Sequence, residues 1–342
     1  MDVSNISGPG ENISEVPGPS DVERVLVPIL DTLILVTGLL GHALVILVLS
    51  RTIKGGRLGP AGSGAGTVRA AGSNVADVLL LGLSVADLLL LSCVPYNTVA
   101  IATRHWPFGD LMCKAVSFLG ALSSSASAFT LAALACSRYV VVVHPTKAYS
   151  WRRNRRVGLA TAAPWVPALL LAVPQFASRT LMPGTEIRSA RKDLVCFNFL
   201  SEEDQLAYVV CHFVLAFVLP LALIVAAYGR IYHFLRRTRQ NRTERTERLE
   251  RYQAQVTHTS VLLVLAFVLC WMPSYGLMMV QLGYRSTVTG PLPRFGAFAT
   301  FARVMATFST VANPVLYVFM SQKFRTELQD LMRKWIRCSA GH

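Results

Sequence analysis

Charge is what this sequence is short of. Only 15% of its 342 residues are Asp, Glu, Lys or Arg, against about 25% in an ordinary soluble domain. A mean hydropathy of +0.45 points the same way. The apolar residues come in blocks long enough to cross a bilayer, which excludes the buried core of a soluble domain. Acid is scarcer than base, with 19 Asp and Glu against 33 Lys and Arg. The bases sit between the apolar blocks, where membrane topology places them, so nucleic acid is a poor reading of the positive charge. Metal-type cysteine spacing is missing too. No C-x-x-C occurs among the seven cysteines, and Cys93, Cys136, Cys211 and Cys270 fall inside apolar segments, where they read as buried helix residues. Paired carboxylates, a nucleophile with its base and a phosphate loop are all absent, so the chain does not read as an enzyme. Met1 to Arg24 has no apolar core of a cleavable signal, and the first apolar segment is expected to act as the internal one.

Seven apolar segments are present. They run from about Leu26 to Ser50, Val75 to Ala102, Cys113 to Tyr139, Val157 to Phe176, Gln205 to Leu235, Thr257 to Leu282 and Pro293 to Met320. The third is the organising one. It carries hardly a charge and ends in Cys136-Ser137-Arg138-Tyr139. The Gly/Ala-rich loop 51–73 and the loop before Arg156 contain bases and no acid, whereas the tail 1–24 is acidic. Seven crossings with the N-terminus outside satisfy that asymmetry. The expectation is an all-α membrane protein with three parts. Residues 1–24 form a disordered extracellular tail with glycosylation sequons at Asn5 and Asn12. Residues 25–320 form a seven-transmembrane helix bundle. Residues 321–342 form a short amphipathic cytoplasmic eighth helix and tail, with Phe324, Leu328, Leu331, Met332 and Trp335 on one face. Arg236 to Arg251 reads as a helical extension, and the stretch before Asp204 as a mixed-charge loop. Asp87 is read as the single intramembrane acid, expensive and therefore functional.

The motifs then fall into a known order: Leu83-Ser84-Val85-Ala86-Asp87, Trp106-x-Phe-Gly, Cys113 with Cys196, Arg138-Tyr139, Trp165, Pro220 with Tyr228, Cys270-Trp271-Met272-Pro273, and Asn313-Pro314-x-x-Tyr317 followed by Phe324. Over nearly its full length the chain resembles a class A (rhodopsin-like) G-protein-coupled receptor. Within that family it is most similar to the peptide-receptor branch, near galanin receptors and an orphan galanin-receptor-like group.

The resemblance implies a plasma-membrane receptor for an extracellular, neuropeptide-like ligand that promotes nucleotide exchange on a heterotrimeric G protein of the inhibitory class. Arrestin and membrane lipids are the further partners it implies, with Cys338 open to palmitoylation or left as a free thiol. A disulfide between Cys113 and Cys196 is implied. Ser137, Arg138, Tyr139 and Tyr228 map to the G-protein-coupling end, and Trp271, Pro273, Asn313, Pro314 and Tyr317 to the switch. The family's acid before Arg138 is here Ser137, and a second acid seen in some relatives is here Gln253. Raised basal activity, altered coupling and an adequate serine substitute all stay open. Asp87, Ser127, Ser309 and Asn313 map to a sodium site, with a protonated, ion-free Asp87 as the alternative. Gly41-His42 stands where the family has an Asn in segment one, and Gly82 where it has another; His42 reads as a packing residue, a competitor of sodium or a pH sensor. Gly120 replaces the acid that amine receptors use for an ammonium, which argues against an amine ligand, and Thr307 stands near the place of the retinal lysine. Asn97, Gln175, Ser124, Tyr275, Gln281, Phe298 and Arg303 are the candidate pocket residues. An orphan receptor with ligand-independent or proton-responsive signalling is the alternative within the fold; a channel or transporter is the alternative outside it.

Overall fold

In the computed structural model the described residues are 21–56, 64–103, 105–144, 158–159, 161–183, 194–198, 202–238, 244–287, 296–320, 324–326, 328–330 and 333. Asn5, Asn12 and Cys338 lie outside them. The chain forms α1 (Asp21–Gly56), α2 (Gly64–Thr103), α3 (Gly109–Val143) and α4 (Trp165–Ser178). A strand pair follows, β1 (Arg179–Pro183) and β2 (Leu194–Asn198). Helix α5 comes in three consecutive pieces, Glu202–Phe213, a π-helical turn Val214–Val218 and Leu219–Thr238. Helices α6 (Glu244–Thr287) and α7 (Gly296–Met320) complete it.

Polarity is inverted relative to a soluble fold. His42, Ser84, Ser123, Ser125 and Thr310 are fully buried, while Leu40, Leu170, Val225 and Leu269 are each more than 60% exposed. Long apolar faces turned outward with polar groups turned inward suit a hydrocarbon solvent, where backbone groups must be paired within helices. Among the described residues, five helical stretches are long and apolar enough to cross a membrane: Arg24–Arg51, Val75–Thr103, Gly109–Val143, Glu203–Arg237 and Ser260–Val280. The apolar helix in segment four covers 14 residues, Trp165–Ser178. Helix α7 is diluted by Arg303, Thr307, Ser309, Thr310 and Asn313, all on its sequence of 25 residues.

Helix α3 is the hub, packing on α2, α4, α5 and α6. The largest core cluster sits toward the Arg138 end, where Leu79, Leu83, Leu131, Leu134, Ile224, Leu263 and Tyr317 meet. Helix α1 comes close to its neighbours through glycine. A Cβ on Gly38 would stand 2.8 Å from the Leu91 side chain, and one on Gly41 2.8 Å from the Pro314 ring. Small residues of this kind let membrane helices approach where no hydrophobic force drives them together.

Four expectations need correction. Loop 51–73 is partly helical, because α1 continues to Gly56 and α2 starts at Gly64; its alanines are good helix formers. The loop after α4 contains an antiparallel pair, with Leu181 opposite Cys196; strands of five residues carry too little pattern to stand out. Cys136 and Cys211 are exposed on the apolar surface, whereas Cys93 and Cys270 are buried. Asp87 is not the single intramembrane acid, since Asp31 and Asp77 are also buried within spans. Beyond α7, residues 324–326 and 328–330 are helical, with Phe324 buried in the core cluster and Leu328 packed against it.

Candidate functional site

One end of the bundle is closed by a cap built on the first turn of α3. Gly109 has φ +80, a left-handed conformation that favours glycine and lets the chain turn sharply into the helix. The Trp106 indole N–H donates to the Gly109 carbonyl at 3.0 Å, and the Trp106 backbone N–H to Leu194 at 2.7 Å. Asp110 Oδ1 accepts from the Leu181 N–H at 3.1 Å. Cys113 and Cys196 are joined in a disulfide with Cα atoms 5.6 Å apart. The strand pair is thus tied to α3 by the disulfide and the Asp110 bond, and to the turn before α3 through the Trp106 backbone.

Below this cap runs an aromatic column. His212 on α5 shares a hydrogen bond of 3.2 Å with the Ser125 hydroxyl on α3. Its ring lies 5.6 Å from Tyr208 and 6.2 Å from Tyr275, where it stacks. Tyr275 meets Phe217 at 4.7 Å and Trp271 at 6.3 Å, and Trp271 meets Phe267 at 5.9 Å. The π-helical turn Val214–Val218 widens α5 at this level and carries buried Phe217; such turns recur at functional positions. Neither His212 nor Ser125 stood out in the sequence, since a lone histidine and a serine in an apolar run have no pattern.

The proposed pocket residues separate. Tyr275 is buried in the column rather than presented to a cavity. Ser124 is buried and its hydroxyl donates to the Ala121 carbonyl of its own helix at 3.1 Å. Gln175 Oε1 accepts from Arg179 Nε at 3.1 Å. Asn97 is half-buried on α2, and Gln281 lies on α6. Phe298 is exposed and packs on Phe301 at 6.2 Å. Arg303 is bound to Asp31 of α1, with Nη2 3.1 Å from Oδ2. The Asp31 carboxylate also takes the Thr98 hydroxyl of α2. Asp31 was legible as an acid inside an apolar run, the same signal that marked Asp87.

The middle of the bundle holds the polar core. Asn313 Nδ2 donates to Asp87 Oδ2 at 2.7 Å, and Ser127 hydrogen-bonds the same side chain. His42 Nε2 lies 2.8 Å from the Thr310 carbonyl and 3.5 Å from Asp87 Oδ2. Thr310 stands four residues before Pro314, and proline has no N–H to give to that carbonyl. His42 therefore supplies from α1 the donor that α7 lacks, which fixes its proton on Nε2. The other nitrogen, Nδ1, is buried without a partner among the described residues. A carboxylate and two hydroxyls are the right atoms for a hard cation such as sodium. Here, however, Asn313 turns an N–H to the carboxylate, the Ser309 hydroxyl donates to the Ala306 carbonyl at 2.6 Å, and His42 flanks the acid. A sodium ion does not fit this arrangement unless Asn313 turns and His42 withdraws.

At the opposite end, Ser137 is buried and its hydroxyl donates back to the Leu134 carbonyl at 2.7 Å. Its proton is thus spent within α3. Tyr228 of α5 lies beside Ser260 of α6 and within reach of the Arg138 charge. Tyr139 shares a hydrogen bond of 3.3 Å with His144, and the Arg230 guanidinium lies 6.0 Å over its ring. Pro273 and Pro314 sit inside α6 and α7, and Tyr317 is buried in the core cluster. Gln253 falls on α6.

Comparison with known proteins agrees with this geometry. The family model described as "7 transmembrane receptor (rhodopsin family)" matches residues 67–317. Galanin receptor type 2 of Mus musculus is 29% identical over 337 residues, covering 98% of this chain and 84% of the relative. Galanin receptor type 1 of Homo sapiens is 27% identical over 342 residues, covering 98% and 91%. Somatostatin receptor type 2 of Mus musculus is 25% identical over 241 residues, covering 70% of this chain and only 63% of the relative. The inverted polarity, the helical bundle, the motif order and this match lead to one conclusion: the chain belongs to the rhodopsin family of seven-transmembrane receptors, multi-pass membrane proteins that are not enzymes.

Proposed function

We propose that this protein is a plasma-membrane receptor, N-terminus outside, in which a neuropeptide-like ligand bound at the disulfide end drives nucleotide exchange on a heterotrimeric G protein of the inhibitory class at the Arg138 end. Relatives named as receptors for galanin, somatostatin and allatostatin-A support the ligand class. The observation that carries the reading is the aromatic column from Tyr208 through His212, Tyr275 and Phe217 to Phe267 and Trp271, beside Pro273. Packed rings have discrete arrangements, so a ligand that shifts the top of the column biases the hinge below. Motion of α6 would open a basic cleft for a helix of the partner.

With Ser137 engaged by Leu134, the family's charged restraint on Arg138 is missing next to it. Ligand-free exchange above background is the outcome this reading proposes. The test is ligand-free nucleotide exchange on an inhibitory G protein, with wild type and Arg138→Ala at matched surface levels. The expected result is exchange above empty-membrane background that disappears in the mutant. Equal exchange above background in both overturns the coupling role.

One observation favours a second, proton-responsive reading. His42 Nδ1 is a buried, unused lone pair in a ring 3.5 Å from Asp87. A proton there would place an imidazolium against the carboxylate and tighten α1 on α2 and α7.

A further inference from the structure

The cluster of Asp31, Thr98 and Arg303 belongs to none of the family motifs that drew attention to the other polar residues. It joins three helices near the disulfide end: the outer part of α1, the last turns of α2 and the second turn of α7. Its two charges differ in access. Asp31 is 1% exposed in its side chain and Arg303 is 25% exposed. The acid is sealed and already holds the Thr98 hydroxyl and two contacts from one nitrogen, Arg303 Nη2, at 3.1 and 3.3 Å. The base is only partly used. A guanidinium carries five N–H donors in a planar fork. Asp31 engages Nη2, whereas Nε is buried with no acceptor among the described residues. A buried donor without an acceptor is costly and is relieved by any group that brings an oxygen to it.

This asymmetry selects ligand chemistry. An ammonium group approaching this cluster meets the partly exposed guanidinium first, and the sealed Asp31 carboxylate is closed to it. A carboxylate meets a planar fork of donors suited to two parallel hydrogen bonds. Position 120 of α3 supplies no acid to balance the preference, because Gly120 leaves open space where a charged side chain would project. Half-buried Asn97, next to Thr98, lies on the same stretch of α2 and adds a neutral polar group near the cluster.

We propose that Arg303 is the receptor for a carboxylate of the ligand, and that Asp31, locked by Thr98, is the positioning residue that holds the guanidinium and competes for it. This rests on the peptide-receptor reading. It makes the two members of one ion pair act in opposite directions on ligand choice. Removing Arg303 removes the preference for acid. Removing Asp31 frees the whole guanidinium charge and strengthens that preference. A purely structural ion pair would make both substitutions harmful in the same way, by leaving one buried charge alone.

The experiment is thermal stabilisation of the purified, full-length receptor in lipid nanodiscs. The probes are short peptides of mixed sequence, each made with a free and an amidated C-terminus and with its Asp and Glu side chains intact or replaced by Asn and Gln. The expected result is that stabilising peptides lose about tenfold or more in affinity when one carboxylate is neutralised. The terminal and side-chain arms show which carboxylate it is. Arg303→Gln flattens the preference and Asp31→Asn steepens it. Where either single variant fails to fold, Asp31→Asn with Arg303→Gln removes both charges together and is expected to fold without the preference. Peptides that stabilise wild type equally in acid and amide form overturn the carboxylate site while leaving the peptide-receptor reading intact. A double variant that keeps the preference also overturns the site. If no peptide of either kind stabilises the receptor, the peptide reading falls and the site with it.

Discussion

Two glycines of α1 allow a quantitative test of how this bundle is closed. A Cβ added at Gly38 or at Gly41 would stand 2.8 Å from its nearest neighbour in both cases. Distance alone predicts equal effects; the identity of the neighbour does not. At Gly38 the obstacle is Cδ1 of Leu91, the end of a side chain that can turn at a cost of about 0.5–1.5 kcal/mol. Alanine in a helix is favoured over glycine by about 1 kcal/mol, so Gly38→Ala should be close to neutral. At Gly41 the obstacle is the Pro314 ring, with Cβ at 2.8 Å and Cγ at 3.0 Å. A ring fused to the backbone cannot rotate away, so α1 and α7 must part, at an overpacking cost of about 1–3 kcal/mol. The parting also stretches the bond of the next residue, His42, to the Thr310 carbonyl, now 2.8 Å, for about 1 kcal/mol more. After the helix gain, Gly41→Ala should lose about 1–3 kcal/mol. Thermal unfolding of the two variants in detergent, side by side with wild type, measures the difference. Gly41→Ala melting at or above Gly38→Ala would refute the reasoning, because the α1–α7 contact would then be soft.

Two further outcomes test the cap and the polar core. Cys196→Ser should abolish surface expression or ligand response, since the strand pair loses its covalent tie to α3; normal surface levels with a normal response would show that Asp110 and Trp106 hold the cap alone. Replacing sodium by choline should leave wild-type basal exchange unchanged, while His42→Asn, which vacates the space beside Asp87, should make exchange sodium-sensitive.

Much of the bundle was legible because membrane constraints write themselves into sequence at low resolution. Long apolar runs gave the helices, and prolines with tight motif spacing marked α6 and α7. The strand pair after α4 was not legible. Its strands are five residues each, and they are held by α3 through the disulfide, Asp110 and Trp106, partners far away in the chain. The pocket residues were the least legible. Ser124 spends its hydroxyl on its own helix, and Arg303 is tied to an acid 272 residues away.

The sequence by itself determined that this chain crosses a membrane as a helical bundle of the rhodopsin family, because hydrophobic length and motif order are local properties of the chain. Tertiary structure alone decided what the intramembrane polar groups do. Asp87 and Asp31 look alike as acids in apolar helices, yet one meets Asn313 and His42 and the other meets Thr98 and Arg303. Nothing near His42 in the sequence reveals that it answers a carbonyl freed by Pro314, on a helix that lies against it only in the folded bundle. In a low-dielectric interior a polar group takes its role from the partner that satisfies it, and that partner is chosen by packing.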